Sequence, residues 1–265
     1  MAKVSIATLD KAPLVEMPEG FAGHSETQAF FDQDGDPLHL HLHRLEREAG
    51  LRVGPKDTDC VLYVWAGAVE TGGRLLAQGS SLIVEHGATL DIKGAADNAL
   101  VLIFSAAHPS ATPRAGGQVH LLPTERVPRA ASLSGAGGTG GGMHANSGCP
   151  TCEVWLHENS FPATEKEMTA EDAERGIHSH SENEIIFVVD GGMRLGTRLY
   201  GPGTALAILA DTLYSFTPGP DGLKFINFRA GRPSEIKFKS GGSMDEVGFW
   251  RDRLPAPDYL APVPG

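Results

Sequence analysis

Gly176-Ile177-His178-Ser179-His180-Ser181-Glu182-Asn183-Glu184 leads directly into Ile185-Ile186-Phe187-Val188-Val189-Asp190-Gly191. His178 and His180 are two apart, so on an extended strand both rings point to one face, and Glu184 has the same parity. The apolar residues behind Glu184 read as a buried strand that ends at a glycine. Two imidazoles and a carboxylate on one face converge on a point and suit a divalent first-row metal with coordination positions left open. A histidine-rich strand end in solvent is the plainer reading. The shared parity ahead of a buried apolar run argues against it.

Working outward, short apolar runs separated by glycine-bearing turns fill both halves of the chain. They lie at 38–45, 61–65, 75–76, 81–84, 89–92 and 100–104, then at 154–156, 185–189, 193–195, 205–209, 214–217 and 224–228. Their lengths and spacing predict strands; one short helical turn is expected over 169–175. The halves also repeat. Leu62-Tyr63-Val64-Trp65-Ala66-Gly67 matches Ile186-Phe187-Val188-Val189-Asp190-Gly191 at an offset of 124. The same offset aligns Gly79-Ser80-Ser81-Leu82 with Gly203-Thr204-Ala205-Leu206, and 100–104 with 224–228. Three matches at one constant offset predict two tandem copies of one β unit. The expected division is an N-terminal arm over 1–37, a first barrel over 38–107, a linker over 108–151, a second barrel over 152–240 and a tail over 241–265. The linker assignment rests on prolines followed by the glycine run of 135–142, which argues against a continuous helix or strand.

Composition agrees with an all-β chain. The 265 residues include 33 glycines and 18 prolines, and 41% are hydrophobic, enough for a core but unlike a helical bundle or a disordered acidic chain. A net charge of −11 repels phosphate backbones and anionic lipid, which argues against nucleic-acid and membrane partners. No apolar run is long enough to span a bilayer, and Met1-Ala2-Lys3-Val4-Ser5 is not followed by a secretory apolar stretch. Three cysteines form no closed disulfide framework, so a reducing cytoplasm is the expected compartment.

The motif at 176–191 resembles the first motif of the cupin superfamily, with His178, His180, Glu184 and Gly191 at the matching positions and Gly176 nearer than that pattern asks. The second cupin motif is partly present: Pro202-Gly203 supplies its turn, and Tyr214 stands where cupins usually place a histidine. The resemblance implies a bicupin: two jelly-roll β-barrels joined by a Gly-rich linker, with metal held in a barrel mouth. Subtracting 124 puts Gly54, Lys56, Cys60 and Leu90 at the positions of His178, His180, Glu184 and Tyr214, so the first barrel is expected to be structural.

Two further clusters stand out. His39, His41 and His43 alternate with leucines, read here as the half-exposed face of an edge strand in preference to a metal patch. His144, Cys149, Cys152 and His157 form a two-Cys, two-His set able to close a zinc shell, although a redox pair or two small buried residues fit the CxxC as well. His157 has the alternative of facing the barrel. The expected function is that of a metal-dependent enzyme acting on a small organic substrate, foremost an Fe(II)-type dioxygenase, with Mn, Ni or Zn as alternative ions. Tyr214 would serve as a further ligand, an acid or base, or a packing residue. A lyase or isomerase on the same site, and a non-enzymatic ligand-binding or sensing module, are the rival readings. The expected partners are a small molecule and, as a homodimer, a second copy of the chain.

Overall fold

Strand makes up 54% of the computed structural model and helix 4%, so the chain is all-β as expected. The structure describes residues 3–112, 114–130, 140–163, 171, 174, 176–233 and 235–260. They fall into two units, each assembled from separate stretches of chain. The N-terminal unit draws on 10–127, 147–154 and 255–265; the C-terminal unit draws on 1–9, 128–146 and 155–254.

The N-terminal unit has two antiparallel sheets. One contains β2 (Leu14–Val15), β4 (Glu26–Phe31), β5 (Leu38–Leu45), β7 (Cys60–Ala66), β10 (Ser81–Val84), β12 (Ala99–Ala106), β13 (Val119–Leu122) and β24 (Asp258–Leu260), in the order β2-β4-β5-β12-β7-β10-β13-β24. The other contains β3 (Phe21–Gly23), β6 (Gly50–Val53), β8 (Ala68–Thr71), β9 (Arg74–Ala77) and β11 (Leu90–Gly94), in the order β3-β6-β11-β8-β9. Alternate residues of both sheets, among them Leu51, Val53, Leu62, Val64, Ile92 and Val101, form one core. Removing a side chain such as Leu62 from it would cost roughly 2–5 kcal/mol.

In the C-terminal unit the larger sheet contains β1 (Val4–Thr8), β14 (Arg129–Ala130), β15 (Gly140–Asn146), β16 (Trp155–Phe161), β18 (Glu184–Leu195), β20 (Thr204–Ile208) and β21 (Thr217–Arg229), in the order β1-β20-β18-β21-β16-β15-β14. A short strand, β19 (Arg198–Tyr200), pairs with β18. The smaller sheet is β17 (His178–Ser179), β22 (Glu235–Phe238) and β23 (Ser243–Asp245). The turn α1 (Glu246–Phe249) follows directly, its Gly248 N–H donating to Asp245 Oδ1 at 2.8 Å.

The repeat seen in the sequence is a repeat of register. Tyr63 pairs with Ser81 on β10 and with Leu102 on β12; 124 residues on, Phe187 pairs with Ala205 on β20 and with Ile226 on β21. Each of the three matched segments is one strand of this shared three-strand centre.

The ends and middle of the chain differ from expectation. The stretch read as an N-terminal arm supplies β1 to the C-terminal unit and β2, β3 and β4 to the N-terminal one. The stretch read as linker supplies β13, β14 and β15, and β15 begins within the glycine run at Gly140. Glycine weakens a strand through backbone entropy, but pairing of Gly140–Gly142 with Glu158–Ser160 on β16 offsets that loss. Most of the turn expected over 169–175, and residues 135–139, lie outside the described residues. β5 is not an edge strand: it pairs with β4 on one side and β12 on the other, so His41 and His43 are buried, 3% and 0% exposed. His41 Nε2 lies 2.9 Å from Asp32 Oδ2, and His43 Nδ1 lies 3.0 Å from the Ser25 hydroxyl.

Candidate functional site

His178 and His180 lie at the edge strand β17 and just beyond it, and Glu184 begins β18. Tyr214 faces His178 across a two-way backbone bridge, with N···O distances of 3.0 Å in both directions. The four residues sequence reasoning joined are therefore neighbours. The His178 ring is 5.1 Å from that of His180 and 4.6 Å from that of Tyr214.

Hydrogen bonds fix which ring nitrogens are bare. A carbonyl only accepts, so His178 donates from Nδ1 to Gly176 O at 2.8 Å, leaving Nε2 without a proton in the neutral ring. A guanidinium only donates, so His180 Nε2 accepts from Arg229 Nη2 at 3.3 Å. His180 Nδ1 then carries the proton and faces Glu246 Oε2 at 3.8 Å. Burial, with Arg229 adding to it, outweighs the pull of Glu184 and brings the His180 pKa down to about 4, so this ring is neutral.

Glu184 is fully buried. Burial alone would raise its carboxyl, but Arg229 and His180 lead a set of opposing interactions that hold it at about 2. Oε2 accepts from Asn227 Nδ2 at 2.6 Å and from Arg229 Nη2 at 3.2 Å. The Tyr214 phenol faces the same carboxylate and stabilises its charge, yet Oε1 is buried without a hydrogen bond of ordinary geometry among the described residues. Burial and then the Glu184 charge push the Tyr214 phenol well above its ordinary range, so it keeps its proton at neutral pH.

Arg229, 1% exposed, is the residue sequence reasoning missed. Its Nη1 donates to Glu246 Oε2 at 2.5 Å while Nη2 serves Glu184 and His180. Burial works against its charge, but Glu246 and Glu184 more than offset that. The available signal was parity. Asn227 and Arg229 alternate on β21, and Asn227 pairs with Ile186, two residues on from Glu184. Glu246 lies in the stretch set aside as a tail and reaches the site through α1.

A cavity of about 180 Å³ opens beside these groups, lined by His178, His180, Tyr214, Phe216, Asn227 and Trp250 among others. Ile186 lines it, and Phe187, of opposite parity on β18, does not. His157 also faces this cavity, with Nδ1 accepting from Trp155 Nε1 at 2.8 Å.

That placement corrects the four-residue zinc set. His144 and His157 are buried on β15 and β16 of the C-terminal unit, whereas the chain between 147 and 154 leaves it for the N-terminal unit. Cys149 and Cys152 gather there with Glu85 and His120 instead. All three cysteines are free. At the first barrel's equivalent of Glu184 the buried Cys60 stands, and Ile103 and Ser105 replace Asn227 and Arg229. Among the described residues, no helix is long and apolar enough to cross a membrane.

Two imidazoles and a carboxylate are donor chemistry that suits a divalent first-row ion, and the Arg229 guanidinium stands among them. His178 is anchored by its Nδ1 bond to Gly176 O, and His180 Nε2 stands 3.9 Å from Glu184 Oε2. Glu184 adds a buried, unpartnered oxygen.

No family model matches the sequence, and no curated protein matches it. Solved structures do. Protein Ylba from E. coli superimposes with a TM-score of 0.64 at 14% identity, over 86% of this chain and 90% of that one. The oxalate decarboxylase of Bacillus subtilis, a protein with Mn(II) centres, gives 0.58 at 11% identity over 88% and 79%. The salicylate 1,2-dioxygenase of Pseudoaminobacter salicylatoxidans gives 0.54 at 8% identity over 77% and 76%. At such identities the likeness is one of fold: the chain shares with these structures an all-β architecture of two jelly-roll units.

Proposed function

We propose that the chain is a metal-dependent cupin enzyme for a small organic substrate, with its single cupin metal held by His178, His180 and Glu184. The observation that carries this is the grouping of the donors: His178 is held through Nδ1 by Gly176 O with its ring 5.1 Å from that of His180, and His180 Nε2 stands 3.9 Å from Glu184 Oε2. A two-His, one-carboxylate set leaves positions open for substrate and suits Fe(II) foremost, which would supply dioxygen chemistry; Mn, Ni or Zn would supply Lewis-acid chemistry for a lyase or isomerase. A cavity of about 180 Å³ lies below the usual range for drug-sized ligands and supports a small substrate. Phe216, Phe225 and Trp250 line it with apolar surface and limit water. Tyr214 holds its proton on the phenol and donates it, or a hydrogen bond, to an oxygen that gains charge. Asn227 and Arg229 fix the Glu184 carboxylate, and Glu246 fixes both Arg229 and His180.

A second reading, a ligand-binding module without catalysis, is favoured by one observation. The Arg229 guanidinium already stands within 3.3 Å of both His180 Nε2 and Glu184 Oε2, as a permanent cation at the point where those two donors converge. Elemental analysis decides between the readings. The chain should bind Fe(II) or Mn(II) under anaerobic reconstitution, lose that binding in His178→Ala and His180→Ala, and turn over a small carboxylate or phenol from a substrate panel. Absence of His178-dependent metal binding would leave Arg229 as the site's cation and the chain as a binder.

A further inference from the structure

We infer that Glu85, His120, Cys149 and Cys152 form a structural zinc site in the N-terminal unit, separate from the His178–His180–Glu184 motif. One ligand atom from each of the four residues lies within 4.8 Å of all the others. A tetrahedral zinc shell with sulfur and nitrogen donors has ligand–ligand edges of roughly 3.3–3.8 Å, so shifts of about an ångström close this one. His120 Nε2 is 2.6 Å from Glu85 Oε1, and Cys149 Sγ is 3.6 Å from the same oxygen.

The surroundings are built for a cation. The Glu85 side chain is 0% exposed, and among the described residues the ion pair it makes is with His120, not with lysine or arginine. Its Oε2 accepts from Gln118 N–H at 2.9 Å, which directs Oε1 toward the sulfur and the imidazole. With both thiols deprotonated on binding, two thiolates and a carboxylate would carry three negative charges, of which a dication offsets two. Soft sulfur with nitrogen and one oxygen, four-coordinate and closed, selects zinc over magnesium, calcium or manganese.

The ligands come from places the chain would otherwise hold together weakly. Glu85 directly follows β10, His120 lies in β13, and Cys149-Pro150-Thr151-Cys152 belongs to an eight-residue excursion over 147–154. That excursion is held by Gly116 N–H to Thr151 O at 2.9 Å and by Glu153 N–H to Asp59 Oδ2 at 2.9 Å. Zinc would lock it to the sheet by folding-linked binding energy.

The test uses the full chain, purified under reducing conditions and freed of metal with a chelator. The His178→Ala, His180→Ala double variant silences the motif in the C-terminal unit. It should still retain one zinc per chain, and its Co(II) form should show the intense near-ultraviolet absorption of thiolate-to-cobalt charge transfer. Cys149→Ser with Cys152→Ser should weaken zinc binding at least about 100-fold and abolish that absorption, with Glu85→Gln weakening it less. The cobalt spectrum of the unsubstituted cysteines stays informative even if the serine variant folds poorly. Cobalt without thiolate absorption, loss of all zinc in the double-histidine variant, or reduced cysteines that take up no zinc and reoxidise to a Cys149–Cys152 disulfide would each overturn the inference.

Discussion

Arg229, 1% exposed, bonds two carboxylates and an imidazole, which offset the cost of burying its charge. Replacing it with Met strands Glu184 and Glu246 as buried anions, at a cost of about 3–5 kcal/mol in the metal-free protein. A metal ion at His178, His180 and Glu184 would restore part of that charge. The melting temperature of Arg229→Met should therefore fall in chelator and recover more than the wild type on adding Mn(II) or Zn(II). Tyr214→Phe keeps the ring against His178 and removes the hydroxyl. Bound metal should persist while turnover drops by about 10²-fold, the scale of a lost general acid, as read from kcat and metal content on one preparation. The nearness of His178, His180 and Glu184 was legible in the sequence because they lie within seven residues of one another, on either side of one short bend between β17 and β18. Arg229 and Glu246 were not, because a lone arginine in an apolar run and a glutamate beyond the last expected strand have no short-range pattern. Only sheet closure brings them to the site.

At the scale of elements, the strands that carry the repeat were legible down to their register, and glycine explains why. Gly67 and Gly191 both have positive φ, 70° and 68°, and so do Gly79 and Gly203, at 83° and 81°. Each pair is 124 apart and ends or begins a matched segment, so the backbone itself preserves these positions where side chains have diverged. A Cβ at Gly191 would lie 2.4 Å from Gly222 O, whereas one at Gly67 would lie 3.1 Å from Ala99 Cα. Gly191→Ala should cost the left-handed penalty of about 1–2 kcal/mol and a backbone displacement besides, and Gly67→Ala less, measured as urea midpoints. The strands of 119–122 and 140–146 were not legible. Proline and glycine around them describe local preference, and pairing with β10, β24, β14 and β16 overrides it.

For the whole molecule, buried histidines set the response to acid. Burial holds His43 and His144 neutral, with pKa values of about 3, whereas an unfolded chain protonates them near 6.5. Between those limits the unfolded state binds more protons, so stability falls as pH falls from about 6.5 toward 3. Each contributes roughly 1.4 kcal/mol per pH unit across most of that window. Urea midpoints at pH 7.5 and pH 5 should show the loss, and His43→Gln should reduce it. Deleting residues 1–9 should expose the edge of β20, which pairs with β1 along Thr204–Ile208, and give a chain that aggregates on heating. The two-barrel plan was visible in the sequence through the repeat. The exchange of terminal strands was not, because a five-residue strand names no partner.

That exchange governs the order in which a growing chain becomes native. β1 is made first but pairs with β20, some two hundred residues later, and the N-terminal unit takes its last strand, Asp258–Leu260, after every described residue of the other unit has been synthesised. The first barrel is therefore completed only after the chain of the second has been made. Until Asp258–Leu260 arrives, β13 keeps an open strand edge on which a second chain can pair.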